Sequence, residues 1–287
     1  MHLAFSSMNT PSDPHPADLA CLLEERGFES LWYGEHSHIP CSRATPYPPG
    51  GDMPDPYKNM MDPYLSLMTA ANATTTLKLG TGIALLMERD IFAQAKTIAT
   101  LDRLSGGRVI VGTGVGWNQE EYENANTHPF NKRYAVLRET VEATRILWSQ
   151  PEAGYKGKYI AFDPVWANPK PLQQGGPKVF LGAMGPLGRK HAASWADGWY
   201  PVDVAMGDVA KTVESFREEV RQAGRDPADI DINIQIMDTG NLDKLKEYRD
   251  MGIERATIGV SMDLWDKPEA MLPMIDEYAK VIPELAR

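Results

Sequence analysis

The chain has 287 residues, 43% hydrophobic and 24% charged, with 29 Lys plus Arg against 39 Asp plus Glu and a formal net charge of −10. The acidic balance excludes a general nucleic-acid binder, and no run approaches the ~20 apolar residues of a membrane span. Two cysteines, Cys21 in an apolar helical stretch and Cys41 in a polar loop, make neither a disulfide framework nor a metal knuckle.

Short β-rich runs alternate with amphipathic helical stretches, the pattern of a parallel sheet wrapped by helices. The pattern predicts a first strand over 2–6 and a helix over 17–27, closed by Gly27. A second strand spans 30–34. A loop rich in Pro, Gly and Tyr then runs from 35 to 61, a length usually tied to function. A helix over 63–73, strand three over 77–83, a helix over 92–104 and strand four over 108–112 follow. A helix over 132–149 precedes a hairpin-like insertion over 154–162. Strand five (178–181), a helix (186–195), strand six (198–200) and a helix (208–223) come next. Strand seven (231–237), a helix (242–251), strand eight (255–260) and a last helix (268–285) complete the series. Eight such units predict one domain over 1–287, a single (β/α)8 TIM barrel with loop insertions. A doubly wound open sheet is the alternative. It is disfavoured because SSMNTPSDP, not GxGxxG, follows the first strand.

Barrel active sites form on the loops that follow the strands. The tips are 6–7, 35–36, 82–83, 113–114, 182–185, 201–202 and 237–238. WYGEHSHIP crowds Glu35, His36 and His38 at the end of strand two. Histidine suits proton transfer near neutral pH; an ordinary hydrogen-bonded loop histidine is the competing explanation. A His-x-His half-site for metal needs ligands from other tips, and His2, His15, His128 and His191 lie away from them, so no metal is expected. In LKLGTGIALL, glycines interrupt a strand, which marks a bulge or the close approach of a ligand. VGTGVGWNQEEY bares backbone N–H groups at Gly112, Gly114 and Gly116, and Asn118 can cap the following turn. FLGAMGPLGRK places Gly182, Ala183, Met184 and Gly185 before a helix starting near Pro186, whose N-terminus suits a phosphate. Arg189 and Lys190 either add positive charge there or sit solvated on the helix. ATLDRLSGGR reads as structural: Ser-Gly-Gly closes a helix, and Arg108 begins strand four at the stability end of the barrel.

Taken together, LKLGTGI, TLDRLSGGRVIVGTGVGWNQEEY and the pair GAMGP…ADGWYP resemble the luciferase-like monooxygenase superfamily, nearly end to end. GEHSHIPCSRATPYPPGG and GWNQEEY make the chain most similar to the branch that uses coenzyme F420, an 8-hydroxy-5-deazaflavin. The resemblance implies that Glu35 and His36 line the deazaflavin ring and handle a proton. It implies that Gly82-Ile83, often a non-proline cis peptide, stands behind the ring. Thr113 and Gly114 match the fourth-strand turn, and Gly182, Ala183, Met184 and Gly185 match the phosphate-binding turn. One departure concerns the substrate: sugar-phosphate dehydrogenases of this branch carry a glutamate directly after the fourth-strand Thr-Gly, where this chain has Val115. A more apolar substrate is expected, and Tyr47, Tyr57, Met60, Met61, Trp117 and Trp199 near the presumed mouth allow it.

The leading expectation is hydride transfer between F420 and a small organic substrate, with His36 moving the accompanying proton. The rivals are an FMN-dependent monooxygenase that uses oxygen and a separate cofactor reductase, a metal hydrolase, and a non-catalytic flavin-binding barrel. A homodimer is implied by the resemblance alone. The opening MHLAFSSMNTPSDP lacks a basic segment followed by a long apolar one, so a cytoplasmic location is expected.

Overall fold

A computed structural model describes residues 1–237, 239 and 241–286. Asp238, expected at the seventh strand tip, lies outside the described residues. In chain order the elements begin with β1 (His2–Ser7), α1 (Pro16–Glu25), β2 (Ser30–Tyr33), α2 (Pro63–Ala73), β3 (Lys78–Ala84), α3 (Ile91–Leu104) and β4 (Val109–Thr113). They continue with α4 (Gln119–Ala125), α5 (Arg133–Ser149), β5 (Ala153–Lys156), β6 (Ala161–Val165), β7 (Val179–Leu181), α6 (Pro186–Trp195), β8 (Gly198–Trp199) and α7 (Val209–Gln222). β9 (Asp231–Gln235), α8 (Leu242–Asp250), β10 (Arg255–Ile258), α9 (Met271–Ala279) and α10 (Ile282–Leu285) finish the chain.

Among the described residues the strands close in the order β1-β10-β9-β8-β7-β4-β3-β2, with every neighbouring pair parallel. This is the expected (β/α)8 TIM barrel. The hairpin insertion is an antiparallel β5–β6 pair outside the barrel. Two boundaries differ from expectation. The last helix divides into α9 and α10, and Pro283, in the first turn of α10, cannot donate the backbone bond that continuity would need. The segment after Asn118, expected only as a turn, is the helix α4, whose first turn is held by the Asn118 side chain. Among the described residues no helix is long and apolar enough to cross a membrane.

The barrel interior is filled by Ala4, Trp32, Ile110, Phe180 and Tyr200, with Ile83 packed on top. Gly80 has a steric reason: a β-carbon there would stand 2.2 Å from the Trp32 ring. The larger core lies between strands and helices, where Leu23, Leu31, Leu67, Ile98, Leu137 and Phe216 are all but inaccessible.

At the end opposite the strand tips, Arg108 donates to the carbonyls of Ala71, Thr74, Leu77 and Ser105. It thereby closes the C-terminus of α2, which confirms its structural reading. Arg255 and Glu29 form a buried pair at 2.6 and 2.7 Å at the same end.

Candidate active site

The loops after β2, β3, β4 and β7 meet around Ile83. The pairing of β3 with β4 shifts between Thr81 and Ala84, so Gly82 and Ile83 form a bulge, and the Gly82-Ile83 peptide is cis. The Ile83 carbonyl accepts the Glu35 amide at 3.1 Å. Its side chain leans over the tips of β4 and β7. A β-carbon on Gly114 would stand 2.2 Å from Ile83 Cδ1, and one on Gly182 would stand 2.8 Å from Ile83 Cγ2. The Gly182 amide donates to the Thr113 carbonyl at 2.7 Å. The bare positions in GTG and LGA therefore make room first for Ile83, and Tyr200 supports the bulge from below, 3.0 Å from a β-carbon at Gly82. Glu35, Gly82, Ile83, Thr113, Gly114 and Gly182 are thus brought together as one platform.

His36 stands beside it. Its Nδ1 lies 2.7 Å from Glu121 Oε2 on α4, and the two side chains are 9% and 1% exposed. Among the described residues nothing partners Nε2, so one ring nitrogen is oriented by a carboxylate and the other is left for chemistry. Asn118 makes this geometry: its Oδ1 accepts the amides of Glu120 and Glu121 and fixes the start of α4. Tyr57 and Trp117 place their rings 5.4 and 6.0 Å from that of His36, and Tyr47 and Trp265 pack edge-on against Tyr57. The loops after β2, β4 and β10 thereby put an aromatic rim over the histidine. Trp199, expected at the mouth, is fully buried and stacks on Phe216 of α7 at 4.3 Å. It points away from the barrel axis because neighbouring strand residues face opposite sides; its indole N–H holds the Ala183 carbonyl at 2.7 Å.

Three expected site residues are buried, and two of them have their polar groups committed inside the protein. Glu35 is 5% exposed; one oxygen takes the Leu85 amide at 2.8 Å and the other takes Arg89 Nε. Burial pushes the Glu35 carboxyl above its ordinary range, opposed by the Arg89 charge and the Leu85 amide. Arg89 also reaches Asp62 at 2.6 Å. The Thr113 hydroxyl donates to the Ala84 carbonyl at 3.0 Å. Asn118 gives its Oδ1 to α4, while its buried Nδ2 has no partner among the described residues. His38 faces Ser37 and Asn124, and among the described residues no group of three or more His, Cys, Asp or Glu is arranged to hold a metal ion.

The turn of Gly182, Ala183, Met184 and Gly185 leads into α6. No side chain caps this helix, Gly185 is exposed, and a β-carbon on it would meet nothing within 4 Å. The Leu187 and Gly188 amides have no partner within the helix, so the first turn offers N–H donors and the positive end of the helix dipole to an anion. Arg189 does not add to this charge: it pairs with Glu219 of α7 at 2.7 Å. Val115 is 8% exposed and belongs to the apolar core.

Sequence reasoning passed over the partners. Glu121 lies within GWNQEEY and Glu88 two residues after LKLGTGIALL, but nothing local marks either: Glu121 meets His36 across 85 positions, and Glu88 is known only by its burial.

Comparison with known proteins places the chain in a family. A family model described as luciferase-like monooxygenase matches residues 7–237. An uncharacterized protein of Mycobacterium tuberculosis strain H37Rv is 38% identical over 268 residues, 91% of this chain and 92% of that protein. The 5,10-methylenetetrahydromethanopterin reductase of Methanopyrus kandleri is 27% identical over 285 residues, 91% of this chain and 71% of its own length. The structure of an F420-dependent secondary alcohol dehydrogenase, solved with an F420-acetone adduct, shares the fold. Its TM-score is 0.75 at 20% identity over 100% of this chain and 99% of that one. The matched relatives include both F420-dependent and FMNH2-dependent enzymes. With most of its length matched, the chain belongs to the luciferase-like monooxygenase family.

Proposed function

We propose that this protein is an F420-dependent oxidoreductase acting on a small organic substrate. The observation that carries the proposal is the His36–Glu121 pair beside the Gly82-Ile83 platform, with the uncapped start of α6 on the same rim. Bound coenzyme F420 would supply the carbon that carries the hydride. The amides opening α6 and the turn from Gly182 to Gly185 would hold its phosphate, and Ile83 would back its ring. Glu35 and Thr113 shape this cradle through the bonds described above, and Asn118 fixes the start of α4 beside it and keeps a buried Nδ2 without a partner among the described residues.

His36 holds a proton at Nε2 and moves it to or from the substrate, while Glu121 fixes the tautomer from the other side of the ring. The choice of F420 over FMN rests on the extent of the likenesses. The methanopterin reductase aligns with 91% of this chain, and the FMNH2-dependent dimethylsulfone monooxygenase of Pseudomonas fluorescens with 43%. Val115, buried and apolar, and the rim of Tyr47, Tyr57, Trp117 and Trp265 favour an apolar substrate over a sugar phosphate.

The test is an anaerobic assay of F420 reduction and reduced-F420 oxidation over a panel of alcohols, ketones and enones, alongside oxygen uptake with reduced FMN. Turnover with F420 and none with FMN is expected. His36→Ala should lower that turnover by about 10²–10⁴-fold while still binding F420. Oxygen uptake driven by reduced FMN would replace this reading with a two-component monooxygenase supplied by a separate reductase. Full activity in His36→Ala would remove the proton role.

A further inference from the structure

The turn Leu86–Glu88, just after β3, carries an acid that the mechanism above does not use. Both Glu88 carboxyl oxygens are buried, and among the described residues neither has a hydrogen-bond partner. Oε1 lies 3.4 Å from the place a β-carbon on Gly116 would take, so Glu88 packs beneath the turn that leads into α4. Two more buried atoms without partners belong to α4: Glu121 Oε1 and the Tyr122 hydroxyl, on residues 1% and 0% exposed. The other Glu121 oxygen is the one that holds His36. An unpartnered buried polar atom is costly, and here Glu88 and Glu121, which acts on its charge, both carry one.

The charges around Glu88 have one sign. Glu121 faces it from α4 and Glu35 from the loop after β2. Tyr122 of α4 also feels its charge, and Arg133 of α5 acts on Tyr122. Arg89, the neighbouring cation, is turned to Glu35 and Asp62. Burial, reinforced by Glu121 and then Glu35, pushes the Glu88 carboxyl up to about 8.

We propose that Glu88 is a positioning residue for His36: buried behind the turn into α4 without a partner among the described residues, it stays uncharged, so that no second negative charge competes with the Glu121 oxygen that orients the imidazole. A second negative charge in a buried space repels the first. Loss of the Glu88 proton therefore puts such a charge beside Glu121 and disturbs the bond that Glu121 makes to His36. The proposal rests on reading His36 as the group that moves the proton, but its test needs neither coenzyme nor substrate.

The test is NMR of the purified full chain carrying ¹³C-labelled glutamate and ¹⁵N-labelled histidine, titrated from pH 6 to pH 10. In the wild-type protein one glutamate carboxyl should titrate near pH 8 and vanish from the spectrum of Glu88→Gln. The His36 ring resonances should show a step with the same midpoint in the wild type and lose it in Glu88→Gln. At one pH unit above the midpoint about ten of eleven molecules have lost the proton, so the step should be nearly complete by pH 9. A Glu88 carboxyl already ionised at pH 7 in the wild type, which needs no variant to fold, overturns the proposal. Identical His36 titrations in the two proteins overturn it as well. Failure of F420 to bind in a separate titration would instead strike the proposed function and leave this result standing.

Discussion

Glu29 and Arg255 show how single residues set the acid stability of the barrel. Burial works against a charged Glu29, but Arg255, with help from Lys78, outweighs it and holds the carboxyl at about 2. An unfolded glutamate titrates near ~4.3. The pair's contribution is therefore complete above that value and is lost as pH falls from about 4 toward about 2. Glu29→Gln leaves Arg255 buried without its partner. It should cost about 3–5 kcal/mol at neutral pH and flatten the fall of the urea midpoint below pH 4. Glu88 has the opposite sign. Its folded carboxyl sits above the unfolded value, so its contribution is present below about 4 and is lost as pH rises toward about 8. Glu88→Gln should remove that loss, leaving the variant's midpoint less dependent on pH between 5 and 8. An unchanged slope would refute the burial argument. Neither effect is visible in the sequence: a glutamate before a strand and a glutamate after one look alike until the fold gives one an arginine and the other only acids.

At the scale of elements, what was legible was local. Asn118 reads as a cap of the following turn because an Asx side chain in that position has one favoured use, and it opens the helix α4. Glycines in an apolar strand mark either a bulge or a close approach at Gly82-Ile83, and the register shift lies there. The start of α6 was read from small residues followed by proline, and it is there and uncapped. What was not legible was assembly between elements: α4 brings Glu121 to a histidine on another loop, Trp199 turns outward, and Arg189 is consumed by α7.

The uncapped α6 gives a test at this scale. Gly185 has φ −75° and open space around it, so Gly185→Asp fits the backbone and can accept the first-turn amides. The variant should fold at least as stably as the parent, yet bind the anionic coenzyme at least about tenfold more weakly, which is ~1.4 kcal/mol. Equal affinity would mean that the phosphate lies elsewhere. Asn118→Ala should cost about 1 kcal/mol and, by loosening α4, broaden the His36 ring signal.

Over the whole molecule, the regular alternation of β and α segments was enough to read a closed barrel, because each parallel strand needs a crossover helix and eight such units close a ring. Closure brings β1 back against β10 and gathers the carboxyl ends of all strands on one face. The length of the 35–61 loop points to function, and the loop folds back to place Tyr47 and Tyr57 by His36 and its neighbours, anchored where the Met61 amide meets the Asn9 carbonyl at 2.8 Å. The identity of the coenzyme is a property of that assembled face and of no single motif. The most direct test is a fluorescence titration of the purified protein with F420 and with FMN, side by side, repeated with Gly185→Asp. The account predicts tight binding of F420, weak binding of FMN, and a marked loss of F420 affinity in the variant. Tight binding of FMN with F420 left free, or binding of neither, would contradict it.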